Sequence, residues 1–378
     1  MRRIKYTFYA QVLVYLFLLT ALILMFSVQN SIMSRDLPIK TNPDPPSVLR
    51  QENQDRLQNL KVTMQEYVVP NNQSWPLYPL FDHQRNLVWV GDTVIDSGRI
   101  WSFNLTNAKF KEHDLNDTSI VTILALDSNN TIWYLDPLLK RVGFYNTSLH
   151  PANHVYPIRT NVTIFGMTMD KNDTMWMTSP DNGEVLRFDT KTKEFKLVIH
   201  LPFPDSRPLG ITFDKPDTIW IADERGSIIK INSSDVRIIN QYRPHFSKGN
   251  ILPSPTAILV VPDLNSIFVS NHNDKSITSF NTVSNLFGYY RLNTTGLPFG
   301  MAIDKFGDIW IAQHTSNKII VLNPSSGNLK EFSLIDPHPY VQWITSDSNG
   351  NIWMAEQLVG SLGHIRIEED GIVNNQER

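Results

Sequence analysis

The sequence predicts an all-β protein: a seven-bladed β-propeller of four-stranded blades, preceded by one N-terminal transmembrane helix. Three observations carry that prediction. An aromatic residue recurs at Trp89, Trp133, Trp176, Trp220, Phe268, Trp310 and Trp353, in steps of 44, 43, 44, 48, 42 and 43 residues. An aspartate precedes each aromatic by five to seven positions, at Asp82, Asp127, Asp170, Asp214, Asp263, Asp304 and Asp347. Ahead of the array, Phe8–Val28 is a run of 21 residues without a charge.

Self-similarity at this period means stacked units, none able to bury its apolar face alone. The sixth unit shows what repeats. Met301-Ala302-Ile303 is a short apolar run, and Asp304-Lys305-Phe306-Gly307-Asp308 has the residues of a tight turn. Ile309–Ala312, Ile319–Leu322 and Leu329–Leu334 follow as three more short runs with polar connections. Four strands joined by hairpin loops make a propeller blade. No stretch beyond residue 70 carries the three-and-four spacing of a helical repeat. The recurring Trp is expected to pack between blades, since it recurs in nearly every blade. The recurring Asp is expected to make an Asx turn between strands one and two. The seventh unit lacks a fourth strand, and Lys61–Pro70 looks like an orphan one, so these two should pair and latch the ring.

Residues 1–32 read as a basic cytoplasmic end plus signal anchor. As a helix, 21 residues span about 30 Å, the thickness of a hydrocarbon core. The basic start, Arg2-Arg3-Ile4-Lys5, keeps that end in the cytoplasm and places the propeller outside, and the exit Phe26-Ser27-Val28-Gln29 is a poor cleavage site. Residues 33–60 read as a polar stalk with a helical turn around Ser47–Leu60, residues 61–370 as the propeller, and residues 371–378 as a polar tail. Nine Asn-x-Ser/Thr sequons lie beyond the anchor, at Asn72, Asn104, Asn116, Asn129, Asn146, Asn161, Asn172, Asn232 and Asn293, as in an extracellular glycoprotein. There is no cysteine, so neither disulfides nor thiolate metal sites contribute. A net charge of −3 offers no broad basic surface for nucleic acid.

In a propeller the first strand begins, and the second ends, at the mouth of the central channel. The ring just before strand one holds Leu77 or Tyr78, Thr122, Phe165, Leu209, Thr256, Phe299 and Gln342, and is largely apolar. The ring just after strand two holds Asp92, Asp136, Ser179, Asp223 with Glu224, Asn271 with His272, Gln313 with His314, and Glu356 with Gln357. Its acids could together hold a cation such as Mg2+ or Ca2+, or a basic ligand; the bland reading is solvated loop residues. His272 and His314 stand at corresponding positions of adjacent blades, and either could act as a base with Glu356 as its partner.

The blade text resembles the virginiamycin B lyase family, the streptogramin lyases, over about residues 62–368. Pro208-Leu209-Gly210-Ile211 with Trp220-Ile221-Ala222-Asp223, and Pro298-Phe299-Gly300-Met301 with Trp310-Ile311-Ala312-Gln313, follow that family's repeat. NHL-type propellers have similar text. The resemblance implies a magnesium-dependent elimination that opens a lactone, with histidines at the x of Pro-x-Gly in the last two blades. This chain has Phe299 and Gln342 there, and Tyr340 where a glutamate belongs. Glu356 approximates a second carboxylate, Tyr78 a first-blade tyrosine, and His338 is the one histidine near enough to stand in. The expectation is therefore a membrane-anchored binding module for an unknown extracellular glycan, peptide, protein or small molecule, without streptogramin lyase activity. The competing expectation is a divalent-metal enzyme acting on a lactone or ester at the channel mouth.

Overall fold

The computed structural model describes residues 56–368, apart from residues 72, 117, 147–148, 150–152, 160–161, 204, 215–216 and 245–253. The transmembrane segment, most of the stalk and the polar tail lie outside the described residues. Among those described, 28 strands form seven four-stranded antiparallel sheets. Six sheets are built from consecutive strands, starting at Pro76, Ile123, Gly166, Pro208, Pro255 and Pro298. The seventh takes Val341–Ser346, Ile352–Glu356 and Ser361–Ile367 from the end of the chain and Val62–Val68 from its beginning. The expected latch is present, with Val62 opposite Ile367 and Val68 opposite Ser361. Backbone bonds beyond the strand extend it: Val69 N–H donates to Gly360 O at 2.9 Å and Glu368 N–H to Lys61 O at 3.1 Å.

The recurring aromatic lies on the second strand of each blade and is at most 2% exposed. Each one fills the seam with the next blade. Trp133 packs with Met175, Met177 and Phe188 of blade three, Trp176 with Ile219 and Ile229 of blade four, and Trp310 with Ile352 and Ile365 of blade seven. Trp353 closes the circle against Val88, Trp101 and Phe103 of blade one. Burial of a ring this size is the main apolar contribution each seam receives.

The aspartates do more than the expected Asx turn. In blade seven, Asp347 Oδ1 accepts the N–H groups of Asn349 and Asn351 at 2.9 and 3.0 Å, while Oδ2 accepts Trp353 Nε1–H at 3.0 Å. The indole bond recurs in six blades at 2.9–3.3 Å. One carboxylate thus ties the turn to the seam residue, satisfying an indole N–H that would otherwise be buried without a partner. Blade five is the exception that explains the pairing: Phe268 has no N–H, its turn is the 3-10 helix Pro262–Leu264, and Asp263 is exposed.

The described part of the stalk is packed. Residues 56–59 form a helical turn, and Leu57 and Leu60 are 2% and 4% exposed in the seam of blades six and seven. Lys330 Nζ donates to the carbonyls of Gln58 and Leu60 at 2.8 and 2.9 Å, and Arg56 pairs with the buried Asp308. The packed chain therefore begins by residue 56 rather than 61.

Two outcomes are expected from these contacts. Deleting residues 1–55 should leave the urea-unfolding midpoint of the ring nearly unchanged. Deleting 1–70 removes Leu57, Leu60 and the closing strand, and should cost roughly 4 kcal/mol or more; equal midpoints would rule out the latch as a stabilising element. Asp347→Ala should destabilise by about 2–4 kcal/mol, because it strands an indole N–H and a turn, whereas Asp263→Ala should stay within about 0.5 kcal/mol.

Candidate functional site

The mouth is shaped by a repeated irregularity. In blades one, four, five, six and seven the inner strand carries one extra residue relative to its neighbour, between Leu77 and Leu80, Pro208 and Ile211, Pro255 and Ile258, Pro298 and Met301, and Val341 and Ile344. Such a bulge bends the strand and re-aims side chains. The glycine of Pro-x-Gly has a packing reason as well. A Cβ on Gly300 would lie 2.7 Å from Gln342 O of the next blade, and one on Gly210 would lie 2.5 Å from Thr256 O. The bulges of adjacent blades touch through bare backbone.

Phe299 at the blade-six bulge, Phe165 of blade three, Tyr78 of the blade-one bulge and Trp343 of the blade-seven bulge bring aromatic rings together at the mouth. Phe299 is 3% exposed and stands edge-on to Trp343 at 5.1 Å, to His314 at 5.4 Å and to His272 at 5.7 Å. Across the channel it meets Phe165 at 6.4 Å. Tyr78 lies 5.0 Å from Trp343, and burial pushes its hydroxyl up to about 12. Tyr78 and Tyr340 both hold left-handed backbone, φ 57° and 53°, a strained state for non-glycine residues. The sequence showed an apolar ring here; that Trp343 and Tyr340 join it was not legible, because the extra bulge residue decides which side chain turns inward.

His272 and His314 do come together. Their rings stack at 4.7 Å with 12° between planes, and His272 Nε2 lies 3.3 Å from His314 Nδ1. They are 3% and 5% exposed. Burial holds His272 down at about 4, opposed by the Asn273 side chain, whose Oδ1 lies 3.2 Å from Nδ1. Burial and then the neighbouring His272 hold His314 at about 3. Both are neutral at pH 7. Tyr340 completes the cluster, 5.3 Å from His314.

Glu356 is set apart from that pair. It is 1% exposed and lies over Gly363, where a Cβ would come within 2.9 Å of its Oε1. Its Oε2 is buried with no hydrogen-bond partner among the described residues. Burial, then Glu66 and Asp336, push its pKa up to about 8, so it carries a proton at neutral pH. His338 is exposed on the connection to blade seven, where its backbone N–H donates to Asp336 Oδ1 at 2.7 Å.

The acids after strand two are committed to their own blades. Asp92 accepts the N–H groups of Trp75 and Val94, both at 3.1 Å, and Arg99 Nε at 2.6 Å. Asp136 accepts those of Ser119 and Leu139 at 2.9 and 3.1 Å. Asp223 accepts those of Arg207 and Arg225 at 2.8 and 3.1 Å, plus Ser206 Oγ at 2.8 Å. Each clasps the loop entering its blade to the turn leaving strand two. Glu224 pairs with Arg207 Nε at 2.6 Å, and Gln357 Nε2 donates to Thr93 Oγ1 at 2.9 Å. Asn271 Nδ2 donates to Ser276 and Thr278, at 2.9 and 2.8 Å. Asn271 Oδ1 and both side-chain polar atoms of Gln313 are buried without partners among the described residues. Carboxylates already accepting two or more hydrogen bonds from their own loops do not fit a Mg2+ or Ca2+ ion: calcium takes six to eight converging oxygens, and magnesium a near-octahedral set. No group of three or more His, Cys, Asp and Glu side chains among the described residues is placed to hold a metal.

No protein-family model and no curated protein sequence matches the chain. Solved structures do. A streptogramin B lyase structure superposes with a TM-score of 0.70 at 18% identity, covering 81% of this chain and 98% of that one. Virginiamycin B lyase from Staphylococcus aureus gives 0.70 at 18%, covering 82% and 100%. The β-propeller domain of Myceliophteria thermophila Cps50 (Swd1) gives 0.64 at 10%, covering 82% and 100%. The fold is that of a virginiamycin B lyase-like β-propeller.

The buried titratable groups set opposite pH slopes. The depressed imidazoles of His272 and His314 contribute stability above their unfolded value of 6.5, and it is lost as pH falls toward 4 and 3. The raised Glu356 contributes stability below its unfolded value of 4.5, and it is lost as pH rises toward 8. Urea midpoints measured between about pH 4 and about pH 9 should therefore fall at both extremes. Glu356→Gln should remove the alkaline decline and leave the acid one; an unchanged alkaline limb would count against the raised carboxyl.

Proposed function

We propose that the chain is a single-pass membrane protein whose propeller faces the outside and serves as a binding or interaction module, without streptogramin lyase activity. The observation that carries the reading is Phe299. It stands where the resemblance calls for a catalytic histidine, 3% exposed and enclosed by Trp343, His272 and His314. A phenyl ring cannot take a proton, and a general base supplies about 10²–10⁴-fold in rate. Gln342 occupies the other expected histidine position. The closed aromatic mouth favours recognition of a partner on the ring's surface over chemistry inside it. A glycan, peptide or protein partner is consistent with an extracellular position. The anchor reading rests on Phe8–Val28 and the sequons.

A second reading has one observation in its favour: His272 and His314 form a stacked, neutral imidazole pair at the mouth, and a neutral imidazole can act as a general base. It predicts hydrolysis or elimination at an ester or lactone, with His314 or His272 as the base.

Purified protein incubated with quinupristin and Mg2+ should leave the ring intact at the uncatalysed rate. Opening at an ordinary enzymatic rate would overturn the module reading, and loss of that activity in His314→Ala would then support the second. Protease added to intact cells should remove the propeller and spare residues 1–32; a soluble form beginning near residue 30 would replace the anchor with a cleaved signal.

A further inference from the structure

The end of the ring opposite the mouth carries the turns between strands one and two and between strands three and four. In blades five and six these turns expose large apolar side chains, Val283 at 74%, Leu286 at 58% and Phe306 at 42%, and Leu329 at 36% follows as the first residue of the next strand. The matching turns elsewhere are polar, such as His83-Gln84-Arg85, Lys171-Asn172, Lys191-Thr192-Lys193 and Ser348-Asn349. Leu149 of blade two is the other large apolar side chain exposed in a turn at this end among the described residues, and it adjoins the Asn146 sequon.

Two independent features single out the same sector. The sequons at Asn104, Asn129, Asn146, Asn172 and Asn232 all fall in the turns of this end in blades one to four or on the strand residue that enters them, and none falls at those of blades five to seven. The N-terminal segment also arrives here. Arg56, where the described chain begins, pairs with Asp308 and lies over the Phe306 ring at 4.6 Å.

We propose that the far-end turns of blades five and six rest on the bilayer, with Val283, Leu286 and Phe306 at the lipid interface. The proposal builds on the anchor reading above. Only 27 residues separate Val28 from Arg56. Fully extended, a chain of that length reaches about 95 Å at most, so the tether turns the end of the ring where it attaches toward the membrane. Carbohydrate on blades one to four would hold their turns off the bilayer, leaving the unglycosylated sector as the side that can approach. Phe306 with Lys305 beside it, Nζ 5.2 Å from the ring centre, is the aromatic and cationic pairing that suits a headgroup layer. Asp263 is an exposed acid at the same end and limits the contact to the outer turns. The aromatic mouth then points away from the membrane, toward its partner.

The absence of cysteine makes the test direct. Val283→Cys and Leu138→Cys, the latter at the mouth end of blade two, each take one bimane label in the full-length chain. The proteins are reconstituted into phosphatidylcholine vesicles containing doxyl-labelled lipid and recovered by flotation. The label at 283 should be quenched severalfold more than the label at 138. Flotation with equally weak quenching at both positions overturns the bilayer contact and leaves the anchor standing. Failure to float overturns the anchor and this proposal together. Disulfide-linked dimers through position 283 without lipid quenching would assign the surface to a second copy and overturn it too.

Discussion

The structure depends on one repeated interaction, the hydrogen bond from a buried indole to the aspartate of the preceding turn. The ring has no central core. Its apolar material is divided into seven seams, and each seam needs a large side chain held at a fixed height on the second strand. The indole supplies the area, but its N–H would be stranded inside the seam. The Asp Oδ2 satisfies it, while Oδ1 of the same carboxylate organises the turn, so turn geometry and seam packing are set together. Blade five shows the coupling by its absence: with Phe268 in the seam, the turn relaxes to a 3-10 form and Asp263 faces solvent.

Closure follows from the same division of the core. A ring of seams has no strength at an unpaired blade, so the first strand of the chain completes the last sheet, and Leu57 and Leu60 add apolar weight next to the join. The N-terminal segment is thereby committed twice. It seals blade seven, and through Arg56 it reaches blade six at the end away from the mouth. Whatever tethers the chain consequently pulls on that end.

At the mouth, the fold and its chemistry diverge. The inner strand is bulged in five blades, and in blades four and six Pro-x-Gly lets it lie against the next blade. Around the two imidazoles the chain puts aromatic rings, Phe299 and Tyr340. Phe299 keeps His272 and His314 dry and uncharged, and Glu356 is kept protonated by burial and by Glu66 and Asp336. The acids Asp92, Asp136 and Asp223 hold loops instead of facing a ligand, because backbone N–H groups of the incoming loop lie within reach of each. A likeness of 0.70 in TM-score at 18% identity therefore speaks for the scaffold and not for the reaction.

By itself the sequence determined the number of blades, their four strands, the seam aromatics, the Asx turns and the latch. Each is written locally, as a period, a turn residue or a missing strand, and local patterns survive without knowledge of neighbours. It also brought His272 and His314 to corresponding positions of adjacent blades, which made their meeting legible. Only the tertiary structure decided that Trp343 and Tyr340 join the aromatic mouth, because one extra residue in a bulge reverses which side chain turns inward. It alone decided that the carboxylates after strand two are committed to loop backbone, that His314 stacks on His272 rather than meeting Glu356, and that residues 56–60 are packed. In each case the partner lies on another strand, another loop or the far end of the chain, and distance through space is what a linear pattern does not carry.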